Sequence, residues 1–126
     1  MKASILLVED NTESRYLFSF ILKRAGCEVL QAANGKEALV LVKDWVPDLV
    51  IMDIQMPEMD GYETVCHMRA DPRLVNTPIV GLSAFAMASD REKALQSGFT
   101  GYIEKPIELE DFVNELSNYL PALAQK

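Results

Sequence analysis

The chain has 126 residues, enough for one domain whose core needs no staples. Twelve basic against nineteen acidic residues leave a net charge of −7, which disfavours direct binding to nucleic acid, where Lys and Arg must neutralise phosphates. The composition, 49% apolar and 25% charged, is that of a globular protein, with no apolar run of about 18 residues to span a membrane.

Ile5-Leu6-Leu7-Val8 is a short branched run, the pattern of a strand buried on both faces of a parallel sheet. Leu17, Phe18, Ile21, Leu22 and Ala25 recur at helical spacing and predict a first helix on that face, ended by Gly26. Val29-Leu30, short and flanked by polar residues, predicts an edge strand. Residues 36–42 predict a second helix, stopped by Pro47, with Trp45 packed at its end. Leu49-Val50-Ile51-Met52 predicts a buried strand, 62–69 a third helix, and Asp71-Pro72-Arg73 a loop. Ile79-Val80-Gly81-Leu82 predicts another buried strand. Ser89 and Glu92 have the spacing of a capping box opening a fourth helix that ends at Gly98. Tyr102-Ile103 predicts the second edge strand, and Leu109, Phe112, Val113, Leu116 and Leu120 a fifth helix closed by Pro121. Gly35, Gly61 and Gly98 fall where turns with positive φ are expected.

Strands alternating with helices imply right-handed crossovers and a parallel sheet covered on both faces. The expected organisation is a single α/β domain over residues 1–121 with a short tail at 122–126. Cys27 and Cys66 lack metal or disulfide spacing and are expected as buried, reduced thiols. His67, the only histidine, is expected on the surface. With no signal peptide in view, the chain reads as soluble and cytoplasmic.

In open parallel sheets the ligand site lies outside the carboxyl ends of the strands. Glu9-Asp10, Asp53, Ser83 and Lys105-Pro106 stand at the ends of the first, third, fourth and fifth strands of this chain. Carboxylates about 4 Å apart repel by roughly 4 kcal/mol per pair at an effective dielectric near 20. Mg²⁺, a hard cation that takes one or two carboxylates plus water and phosphate oxygens, would offset this. A carboxylate beside Mg²⁺, an ammonium and a hydroxyl is equipped to accept a phosphoryl group.

Glu9-Asp10, the stretch Asp53-Ile54-Gln55-Met56-Pro57-Glu58-Met59-Asp60-Gly61, Ser83-Ala84 and Lys105-Pro106 together resemble the response-regulator receivers of two-component signalling, the CheY-like domains. The resemblance covers nearly the whole chain. It implies a doubly wound sheet of five parallel strands in the order 2-1-3-4-5, flanked by five helices. It implies Asp53 as phosphoacceptor, served by a phosphohistidine on a sensor kinase or phosphotransfer protein. Asp10, Asp53 and the backbone carbonyl of Gln55 would ligate Mg²⁺, with Glu9 acting through water. Lys105 would pair with the phosphoryl group, and its bond to Pro106 would be cis. Ser83 would move toward the phosphate and Tyr102 would turn inward, coupling Asp53 to the face of the fourth helix, fifth strand and fifth helix, where a downstream protein would bind. No nucleic acid or membrane partner is implied. Ser83 replaces the commoner threonine, and Glu9 an aspartate.

Tyr16 and Phe20 lie away from the first helix's core stripe and are candidates for docking a phosphoryl donor. Gln55 and Phe85 flank the path of attacking water in the family, and a bulky Phe85 offers that water no polar hold, so slow self-dephosphorylation is expected. The Ser83-Ala84-Phe85-Ala86-Met87 run resembles receivers of hybrid kinases and of stand-alone regulators alike. Met1 just before the first strand and the end soon after the fifth helix favour a stand-alone receiver over a fragment of a larger protein. An aspartyl-phosphate phosphatase of the haloacid dehalogenase type would need a second aspartate where Gln55 stands. A flavin carrier would have its phosphate repelled by Glu9-Asp10.

Overall fold

The apolar runs become strands in the computed structural model, which describes residues 2–56, 59–84 and 87–123. The strands are β1 (Ser4–Val8), β2 (Glu28–Ala32), β3 (Leu49–Asp53), β4 (Ile79–Ser83) and β5 (Gly101–Glu104). They form one parallel sheet in the order β2-β1-β3-β4-β5. Every residue of β3 and β4 is buried, as continuous apolar runs require, whereas Glu28, Leu30 and Gln31 of the edge strand β2 reach solvent.

The helices are α1 (Thr12–Arg24), α2 (Gly35–Leu41), α3 (Gly61–Arg69), α4 (Ala88–Ser97) and α5 (Leu109–Leu116). Strand side chains alternate between two cores. Ile5, Leu7, Leu49, Ile51, Val80 and Leu82 meet α1 and α5 through Phe18, Leu22, Phe112 and Leu116. Leu6, Val8, Val50, Met52 and Ile79 meet α2, α3 and α4 through Ala38, Val65, Met68 and Ala94. Phe112 is wholly buried, with its ring centroid 4.9 Å from that of Phe18. Trp45 packs, half-buried, against the second core, and His67 is exposed.

The first three helices start at side-chain caps. Asn11 Oδ1 accepts from the Ser14 amide at 2.8 Å, Asn34 Oδ1 from Glu37 at 2.9 Å, and Asp60 Oδ1 from Glu63 at 2.9 Å. The Ser89–Glu92 capping box does not form. The helix starts earlier than that pattern predicts, at Ala88, so Ser89 is already inside it and Met87 at the cap supplies no side-chain bond. Only Ala94 of α4 is buried; Lys93 Nζ lies 4.3 Å from the Tyr62 ring centroid and the Arg91 guanidinium 5.6 Å from that of Tyr102. Residues 71–73, expected as a loop, enter a 3-10 turn (Pro72–Leu74) capped by Asp71.

Of the three glycines expected at positive φ, only Gly98 has it (φ 124°). Gly61 opens α3 and is required for closeness instead: a Cβ there would lie 2.7 Å from Ile54 Cα and 3.0 Å from the Asp53 carbonyl oxygen. Gly35 likewise opens α2, crowded by Thr64 and Met59. Cys27 is buried as expected, but Cys66 is exposed, because α3 turns Val65 and Met68 to the core instead. Leu17 and Leu109, expected in the core, are 40% and 42% exposed. They line a groove between α1 and α5, since Phe18 and Phe112 fill the space beneath. Leu123, assigned to the tail by sequence, is buried against the α1–α5 core.

Candidate functional site

Parallel pairing delivers every strand's carboxyl end to one edge, and the register decides which residues meet there. Val8 pairs with Met52, Asp53 with Leu82, and Ser83 with Glu104, so Glu9, Asp53, Ser83 and Lys105 leave the sheet side by side. The Glu9 amide still donates to the Ala32 carbonyl at 3.0 Å, which fixes the start of the β1–α1 loop. Glu9 and Asp53 are buried and Asp10 is exposed. One ligand oxygen from each of the three lies within 4.8 Å of the others.

Lys105 Nζ donates to Asp53 Oδ2 at 3.2 Å and to Glu9 Oε1 at 3.4 Å. The Lys105–Pro106 bond is cis, as expected. The other oxygen of each buried acid meets a backbone amide: Asp53 Oδ1 accepts from Gln55 N at 3.1 Å, and Glu9 Oε2 from Asn11 N at 3.2 Å. Burial, then the charge of Asp53 and a hydrogen bond with it, push the Glu9 carboxyl up to about 7 against the pull of the Asn11 amide and Lys105. Burial opposes the charge on Lys105, but Asp53 and Glu9 outweigh it and raise its pKa. One ammonium thus pairs with two buried acids, and the exposed Asp10 adds a third carboxylate to the cluster. The donors are all hard oxygens, with Asp10 open to water, which fits a small divalent cation that keeps part of its hydration.

Ser83 is buried at the end of β4, and its hydroxyl donates to Gln55 Oε1 at 2.9 Å. The sequence marked Gln55 for its backbone carbonyl and its place beside the path of water, and missed this hold on Ser83. The only signal was an amide two residues after Asp53. Tyr102 is 91% buried, and among the described residues its hydroxyl has no hydrogen-bond partner. Tyr16 and Phe20 are 71% and 49% exposed on α1. Phe20 joins Leu17, Ile21, Arg24, Leu109 and Glu110 in the α1–α5 groove; Tyr16 is not among its lining. Phe85, Pro57 and Glu58 lie outside the described residues. No helix among those residues is long and apolar enough to cross a membrane.

Residues 5–117 match the family model of the response regulator receiver domain. The polar-differentiation response regulator DivK of Brucella anthropi is 38% identical over 120 residues, covering 95% of this chain and 98% of that one. The chemotaxis response regulator CheY4 of Vibrio cholerae superposes with a TM-score of 0.91 at 32% identity, over 94% of this chain and 99% of that one. The receiver domain of a Pseudomonas aeruginosa sensor histidine kinase, solved with a magnesium ion coordinated in its active-site cleft, gives 0.87 at 30% identity, over 96% and 99%. The triad of Glu9, Asp10 and Asp53 is of the kind that forms the Mg²⁺ site of receivers. On fold, register and site together, the chain belongs to the response regulator receiver family, signalling modules of two-component systems that partner with histidine kinases and are not conventional enzymes.

Proposed function

We propose that the chain accepts a phosphoryl group on Asp53 from a phosphohistidine of a sensor kinase or phosphotransfer protein and thereby changes its binding partners. The observation that carries this is the hold on Asp53: Lys105 Nζ at 3.2 Å on one carboxylate oxygen and the Gln55 amide at 3.1 Å on the other. A carboxylate so fixed is aimed rather than free to swing. An Asp53 oxygen attacks phosphorus, the new P–O bond forms as the P–N bond breaks, and the electron pair leaves with the imidazole, which takes a proton. Lys105, freed from its pair with Asp53 as that carboxylate becomes an acyl phosphate, holds the phosphoryl oxygens. Asp10, Asp53 and the Gln55 carbonyl would hold Mg²⁺, with Glu9 reaching it through water; bound there, the ion supplies positive charge to the phosphoryl oxygens.

Ser83 then moves to donate to the phosphoryl group, and Tyr102 turns further inward to fill the space Ser83 leaves. Their movement alters the face of α4, β5 and α5, where a downstream protein binds. Tyr16 and Phe20 on α1 dock the phosphoryl donor. The cytoplasm, where kinase domains act, is the proposed location. Phosphoramidate, a small P–N donor, tests the reading. With Mg²⁺ the intact mass of the protein should rise by one phosphoryl group, and Asp53→Ala should show no gain. An equal gain in Asp53→Ala would refute it.

A further inference from the structure

The Ser83 hydroxyl has one proton to donate. In this structure that proton goes to Gln55 Oε1 at 2.9 Å. The proposed function above asks it to go to a phosphoryl oxygen on Asp53, and it cannot serve both acceptors. Gln55 is also tied to Asp53 directly, since its backbone amide donates to Asp53 Oδ1 at 3.1 Å. One residue thus bridges the phosphoacceptor and the hydroxyl that responds to it. From this geometry we propose that the Gln55 side chain is a positioning residue that latches Ser83 in the unphosphorylated state and sets how readily the domain switches.

The fold gives the latch room to open. Gln55 is half-buried and lines a cleft of about 530 Å³ with Asp60, Tyr62, Asp90 and Lys93, between the β3–α3 loop and α4. A released Gln55 amide can turn into this cleft, where Asp60, Asp90 and Lys93 offer polar partners beside Ile54 and Met56. The backbone of Gln55 stays anchored on Asp53, so the carbonyl proposed as a metal ligand does not have to leave with the side chain. The latch is a neutral hydrogen bond, and its replacement on Ser83 is a bond to an anion, about twice as strong. The exchange therefore runs toward the phosphoryl-bound state, while the latch subtracts part of the drive.

The test uses beryllofluoride with Mg²⁺, a phosphoryl mimic that adds to a carboxylate, and the full chain. A net neutral hydrogen bond corresponds to about a fivefold change in affinity. Gln55→Leu removes the acceptor at similar size and should strengthen beryllofluoride binding about fivefold. On a Ser83→Ala background the same substitution should change nothing, because no hydroxyl is left to hold. A spectroscopic signature accompanies this: the Gln55 side-chain carbonyl ¹³C resonance should move when wild type binds the probe, toward its position in free Ser83→Ala. No strengthening in Gln55→Leu, or an equal effect with and without the Ser83 hydroxyl, overturns the latch while leaving Asp53 as acceptor. Failure of wild type to bind the probe, or undiminished binding by Asp53→Asn, overturns the proposed function and the latch with it.

Discussion

Glu9→Gln should flatten the pH dependence of stability in the metal-free protein. Glu9 is buried beside Asp53, and its pKa rises from 4.5 to about 7 on folding. Between those values the folded chain keeps a proton that the unfolded chain has lost. Stability therefore falls as pH climbs from about 4.5 through 7 and levels off above it. A shift of about 2.5 units at 1.36 kcal/mol each caps the loss at about 3 kcal/mol. Lys105 is partly open to water, and local relaxation screens the site further, so about 1–2 kcal/mol is the expected share. The raised pKa of Lys105 acts only at alkaline pH: its stabilising effect is complete below the ordinary lysine value and is lost as pH rises through the folded one, outside this window. Urea unfolding in EDTA at pH 5 and pH 8 reads the effect. Wild type should lose that amount between the two, and Glu9→Gln, permanently neutral, should lose much less. Mg²⁺ should restore wild type at pH 8 more than at pH 5, because it binds the ionised acids. Equal pH slopes for the two proteins, or equal Mg²⁺ stabilisation at both pH values, would show that Glu9 does not hold a proton in the folded chain near neutral pH.

Phe112→Ala should cost about 3–5 kcal/mol in urea unfolding, since a wholly buried ring packed on Phe18 leaves a cavity that the interior strands cannot collapse to fill. Gly61→Ala should destabilise by about 1–3 kcal/mol despite the higher helix propensity of alanine, because its Cβ would press on the backbone of Ile54 and the Asp53 carbonyl; it should also slow modification by phosphoramidate by displacing the strand end that carries Asp53. Phe20→Ala, half-exposed, should change stability by less than about 0.5 kcal/mol. It should leave phosphoramidate modification unchanged while slowing transfer from the protein donor, and an unchanged transfer rate would remove α1 from the docking surface.

The fold was legible because its strong signals are local. Val50 and Met52 face one core and Ile51 the other, so a strand buried on both sides must be apolar throughout, and such runs stand out in a sequence. The strand ends were legible for the same reason: once β1, β3 and β4 are placed, topology brings Glu9, Asp53 and Ser83 together. What escaped depends on contacts between distant elements. Gly61 looks like a turn glycine until Ile54 is seen against it. Leu109 fits the apolar stripe of α5, but Phe112 and Leu116 fill the core beneath and leave it on the rim. Cys66 follows the helical period onto the outer face, where a small apolar residue gives no hint of direction. The Ser83–Gln55 bond joins side chains 28 positions apart, and no spacing rule announces it.

Whether Asp53 carries the phosphoryl group is decided by mapping the modified residue in the unaltered protein. After treatment with phosphoramidate and Mg²⁺, borohydride reduces an acyl phosphate on aspartate to the homoserine alcohol, and peptide mass spectrometry then locates it. Conversion at position 53, absent without the phosphoryl donor, is the result expected from the geometry. Conversion at Asp10, or at any acid other than Asp53, would contradict the account.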